Sequence, residues 1–128
     1  MKFTRTSFIL CLFSVLATAA IDASAATIRV QCEQRGGRSK VSVDADGLAA
    51  GSYRATAVSG GNSATSANAQ SPVGGQVEFD FDSDAGDIAA GATAISSAFL
   101  NGSVTGKIVN SNGATVISDT VACRVRRR

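Results

Sequence analysis

Apolar and polar residues alternate with a period of two along most of this chain. Such a chain can bury its apolar side only as strands with one wet face and one dry one. Ile28, Val30 and Cys32 alternate with Arg29 and Gln31. Val41, Val43 and Ala45 alternate with Lys40, Ser42 and Asp44, and Val77, Phe79 and Phe81 with Glu78, Asp80 and Asp82. No stretch has the spacing of a helix, and none is expected. Gly36-Gly37, Gly60-Gly61-Asn62, Pro72 with Gly74-Gly75, Asn101-Gly102 and Asn112-Gly113 separate the strands. Gly and Asn accept the positive φ of tight turns, and Asn-Gly favours two-residue hairpins. The last two dipeptides therefore predict a meander of three strands over 92–100, 103–109 and 115–125. On the last of these, Ile117, Val121, Cys123 and Val125 share one face with Asp119, and a bulge near Ser118-Asp119 would turn the acid out. The polar stretch 62–71 reads as an edge strand or a mobile loop.

The first residues follow a different pattern. Lys2 and Arg5 precede an apolar run from Phe8 to Ala20, which closes on Ala23-Ser24-Ala25. Charge, apolar stretch and small residues in that order form a secretory signal peptide, with cleavage expected after Ala25. A membrane-spanning helix needs about 20 mostly apolar residues, and Asp22 interrupts the run too early. Cys11, inside the run and behind bulky Leu10, does not fit a lipoprotein. The short Ala-rich leader points to a bacterial source, and hence to a secreted or periplasmic protein with no membrane span after cleavage. Residues 1–25 are thus the signal peptide and 26–128 a single domain of about 100 residues.

Once the leader is removed two cysteines remain, Cys32 near the start and Cys123 near the end. An oxidising compartment favours a disulfide between them. A redox-active pair would want a Cys-x-x-Cys spacing, which this chain lacks. The bridge matters because the core is thin: the mature part has three Phe (Phe79, Phe81, Phe99), one Tyr and no Trp, but is rich in Ala and Gly. Small domains that bury little apolar area commonly rely on such a staple.

Short strands with turns every 8–12 residues or so point to an all-β, immunoglobulin-like antiparallel β-sandwich of about seven or eight strands with one disulfide. The first and last strands would be tied together, either as neighbours in one sheet or across the core. Within this frame Gly47-Leu48-Ala49-Ala50-Gly51-Ser52-Tyr53 resembles the Gly-Leu-x-x-Gly-x-Tyr connection of fibronectin type III modules and prealbumin-like carboxypeptidase-regulatory domains. The resemblance implies a buried Leu48, and a Tyr53 that fixes the crossing between sheets much as a tyrosine corner does. It covers seven residues and carries no activity with it.

Acids gather from Glu78 to Asp87 and bases close the chain at Arg124, Arg126, Arg127 and Arg128. Asp80-x-Asp82-x-Asp84 followed by Gly86 has the donor chemistry of a calcium loop. Counted from Asp80, however, Gly86 falls one place late and Gly91 stands where a bidentate Glu belongs. The plainer reading is an acidic strand face running into an Asp-rich turn; the alternative is a calcium-dependent binding protein using Asp80, Asp82, Asp84 and Asp87. The arginine tail reads as a frayed, solvated end, and otherwise as an anion-binding segment. The chain has no His, which removes Ser–His and Cys–His nucleophiles and most zinc sites. Asn101-Gly102-Ser103 matches a glycosylation sequon that the tight turn already explains. The chain is therefore read as an exported, non-enzymatic structural or interaction module. It would need no cofactor other than the calcium of that alternative. Its partner would be a protein or a surface, and not nucleic acid.

Overall fold

Alternation of the kind seen in Val41–Ala45 becomes a sandwich when two sheets bury their apolar faces against each other. A computed structural model describes residues 25–127; the expected signal peptide, apart from Ala25, lies outside the described residues. Nine strands and one short helix follow in the order β1 (Thr27–Arg35), β2 (Arg38–Asp46), β3 (Tyr53–Ser59), β4 (Asn62–Thr65), β5 (Val77–Asp82), α1 (Ala85–Ala89), β6 (Thr93–Ala94), β7 (Ser103–Asn110), β8 (Thr115–Ala122) and β9 (Arg124–Arg126). One sheet has the order β6-β5-β2-β1-β9 and the other β4-β3-β7-β8. Among the described residues no helix is long and apolar enough to cross a membrane.

Between the sheets lie Val30, Val41, Val43, Ala55, Ala57, Val77, Phe79, Phe81, Val104 and Ile108, all buried. The alternating residues named from the sequence supply most of this core. Gly36-Gly37 turns β1 directly into β2, with Arg35 opposite Arg38 and φ positive at both glycines. The chain then crosses from the first sheet to the second through 47–52. There Leu48 and Tyr53 are buried, and the Tyr53 hydroxyl donates to the Ala49 carbonyl at 2.8 Å. This hydrogen bond pins the crossing. The polar segment after Gly60-Gly61 forms edge strand β4, paired with β3.

Five features depart from the sequence reading. The strand expected over 92–100 shrinks to the two residues of β6, and Asn101-Gly102 closes no hairpin. Its small residues offer little to pack, while Ile95, Phe99 and Leu100 fold inward as a plug. Side chains replace the ladder there: Asn62 Nδ2 donates to the Phe99 carbonyl and the Asn101 N–H donates to Ser59 Oγ. The strand expected over 115–125 breaks at Cys123, because the chain leaves the second sheet and joins the first as β9. No bulge forms at Ser118-Asp119; the register shift lies between Ile108 and Val109 on β7. Asp119 keeps its inward register opposite Gly106 but stays exposed, because β8 is an edge strand. An inward charge on an edge discourages pairing with another chain. Helix α1 was not expected; Asp84 caps it by accepting from the Asp87 N–H, and five residues are too few to show a helical period. Finally, the sheets are not wholly antiparallel: β1–β9 and β5–β6 pair in parallel.

At Gly106 the backbone of β7 packs directly against side chains of β1 and β2. A Cβ there would lie 2.6 Å from Val30 Cγ2 and 3.0 Å from Val43 Cγ2. Valine has few rotamers to escape into, so Gly106→Ala is expected to destabilise by about 2 kcal/mol through overpacking. Val30→Ala in the same chain should recover part of that loss. Chemical denaturation of the two single variants and the double variant measures the coupling; simple additivity would place the clash elsewhere.

Candidate functional site

The outer face of the β6-β5-β2-β1-β9 sheet carries most of the chain's charge, and its cross-strand register sorts that charge. Asp44 stands opposite Glu78, and Ser42 opposite Asp80. Toward the other end two rows cross the strands. Arg124, Glu33, Lys40 and Asp82 form one, and Arg126, Arg35 and Arg38 the other. The carboxyl-terminal arginines are thus not a frayed tail through Arg126. They form a strand, and that strand carries Arg126 to Arg35, whose other neighbour is Arg38.

The four aspartates marked in the sequence do not converge. Asp80 points outward and accepts from Ser42 Oγ at 2.9 Å. Asp82, only 1% exposed, receives a two-pronged contact from Arg38, Nε to Oδ1 at 3.0 Å and Nη2 to Oδ2 at 2.8 Å. It also accepts the Asp84 N–H at 2.9 Å. Asp87, in the first turn of α1, pairs with the same Nη2. A guanidinium therefore stands where a shared cation would be sought. Among the described residues no three Cys, Asp or Glu group as a metal ion would need.

Burial alone would raise the Asp82 carboxyl. The Arg38 hydrogen bonds, the Asp84 N–H and the charges of Arg38 and Lys40 outweigh it and hold the group below the ordinary carboxylate range. Arg38 is shifted the other way, chiefly by its hydrogen bond to Asp82. At the acidic end Asp44 is raised by burial first and then by Glu78 and Asp80, with Arg29 opposing.

Cys32 and Cys123 form the expected disulfide, with their Cα atoms 4.7 Å apart. The bridge joins β1 to the residue at which the chain passes from β8 to β9. Both arrangements weighed from the sequence are thus present in part, since β9 neighbours β1 while β8 lies across the core.

Sequence reading missed Arg38 as the partner of Asp82, 44 residues away. Nothing in its local pattern distinguishes it from Lys40. It also missed the arginine row, because only the parallel β1–β9 pairing assembles it. A protein-family comparison finds no matching family model, and no curated protein shows significant similarity to the chain.

Proposed function

We propose that this chain is an exported, non-enzymatic interaction module on an immunoglobulin-like sandwich, working in the periplasm or outside the cell. The observation that carries the reading is the uneven outer sheet face, with Asp44, Glu78 and Asp80 gathered around Arg29 at one end and Arg124, Arg126, Arg35 and Lys40 gathered around Glu33 at the other. Cross-strand neighbours of like charge are destabilising, so a face that keeps Arg126 beside Arg35 is better explained by a partner than by folding. The disulfide supports an oxidising compartment. The strand order supports the immunoglobulin-like assignment. β1, β2 and β5 lie together, as do β3, β7 and β8, matching strands A, B, E and C, F, G of that fold.

Expression of the full chain in a bacterial host, followed by fractionation, tests this. The recovered protein should begin at Ala26, resist thiol alkylation, and stay with the cell envelope until high salt releases it by screening. An uncleaved cytoplasmic chain with reactive thiols, or an exported one that associates with nothing at low salt in the envelope or the medium, would overturn it.

A further inference from the structure

We infer that the basic end of this face binds an acidic polysaccharide, a sugar polymer bearing carboxylate or sulfate groups; this rests on the interaction reading above and names its partner. Three observations carry it. The first is geometric. Arg126, Arg35 and Arg38 stand side by side on β9, β1 and β2, at the spacing of about 4.8 Å between neighbouring strands. Arg38 is engaged by Asp82 and Asp87. Arg35 and Arg126 share a single acid: Glu33 lies 3.6 Å from Arg35 Nε and 3.4 Å from Arg126 Nε, too far for either to be a well-formed hydrogen bond. Both side chains are about half exposed, at 48% and 52%. Lys40 and Arg124 flank them, so the cations exceed the one local acid that Arg38 does not hold.

The second observation is shape. A hollow of about 180 Å³ is lined by Glu33, Arg35, Arg38, Lys40 and Arg126. Its neighbour, about 470 Å³, shares Glu33, Lys40 and Arg126 and adds Gln31, Ser42 and Arg124 beside an apolar wall of Val30, Cys32, Val121 and Ala122. A trough that sets amide and hydroxyl groups beside cations suits a ligand that alternates hydroxyls with anionic groups. Guanidinium forks recognise carboxylate and sulfate oxygens with paired N–H donors.

The third observation separates this ligand from single-stranded nucleic acid. Tyr53, Phe79, Phe81 and Phe99, the aromatic residues of the described chain, are all buried. The face thus offers no platform on which bases of a single strand could stack.

The test measures binding of the oxidised mature chain to polygalacturonate and to dextran sulfate, beside a 20-base-pair DNA duplex and anionic phospholipid vesicles. The wild-type chain should bind at least one polysaccharide more tightly than DNA or vesicles, and the affinity should fall as salt rises. Arg35→Gln with Arg126→Gln should weaken that binding about tenfold or more. The pair is exposed, so an unchanged melting temperature shows that the fold survives. Lys107→Gln, on the other sheet, should bind as wild type. No polysaccharide binding, a double variant that binds as wild type, or tighter binding to DNA or vesicles would each overturn the inference. Envelope retention without polysaccharide binding would sink this inference and leave the interaction reading standing.

Discussion

Replacing both cysteines, Cys32→Ala with Cys123→Ala, is expected to remove most of the domain's stability. The bridge spans 91 residues, and closing a loop of that length restricts the unfolded chain by about 4.6 kcal/mol in the chain-entropy model. Small domains hold only about 5–15 kcal/mol in total, and much of this one's core is small, with valines and alanines outnumbering its three phenylalanines, two leucines and two isoleucines. For a domain of this size the loss corresponds to a fall in melting temperature of about 20 °C or more. Alanine is the fitting replacement because Cys32 is buried, and a serine there would add an unpaired hydroxyl to the loss. The native state should suffer locally as well. β9 has only three residues to hold it on β1, and the disulfide at its root is its principal tie. The double variant should therefore release β9 and take Arg126 out of the arginine row even where the rest stays folded. Calorimetry of the oxidised, reduced and double-alanine chains measures the effect. A midpoint that moves by only a few degrees would mean that the β1–β9 pairing and the plug around Phe99 hold the chain ends without help.

The parts of this fold legible in the sequence are those set by neighbours along the chain. Ile28–Cys32, Val41–Ala45 and Val77–Phe81 alternate because each strand packs one face, and a strand's pleat shows in any short window. Gly36-Gly37 and Asn112-Gly113 are visible for the same reason: a hairpin is decided by the few residues of its own turn, two in the first case and three, Ser111 to Gly113, in the second. What escaped was decided at a distance. Asn101-Gly102 has the composition of a hairpin, but Asn62 and Ser59 take the backbone groups that a preceding strand would have paired. The break at Cys123 carries no local signal. The chain changes sheets there because the disulfide partner and a parallel neighbour both lie on β1. The candidate site divides likewise. Its charges could be counted from the sequence, but which of them stand together follows from register. Asp82 looked like one of four outward acids until β2 brought Arg38 over it.

That pairing makes the second large prediction. Arg38→Met should lower the melting temperature at neutral pH by roughly 15 °C, because a buried acid stripped of its partner costs about 3–5 kcal/mol in proteins generally. Methionine keeps an apolar stem of similar length, so the loss falls on the ion pair and not on packing. The pH dependence separates this cause from a general weakening. In the wild-type chain the folded Asp82 carboxyl lies below its ordinary value. Its stabilising contribution is therefore complete above the unfolded carboxylate pKa, about 4, and is lost as pH falls through the lower folded value. In Arg38→Met burial acts without its main opponent and the folded pKa should rise above the unfolded one. The penalty is then full above that raised value and relieved as pH falls toward about 4. The two melting curves should converge on acidification, from about 15 °C apart at pH 7 to a few degrees near pH 3. Asp82→Asn leaves no titrating group, and its difference from wild type should narrow only below about pH 4. A constant gap between wild type and Arg38→Met from pH 3 to pH 8 would show that Arg38 stabilises by covering the end of the β2–β5 pair, and not by its charge.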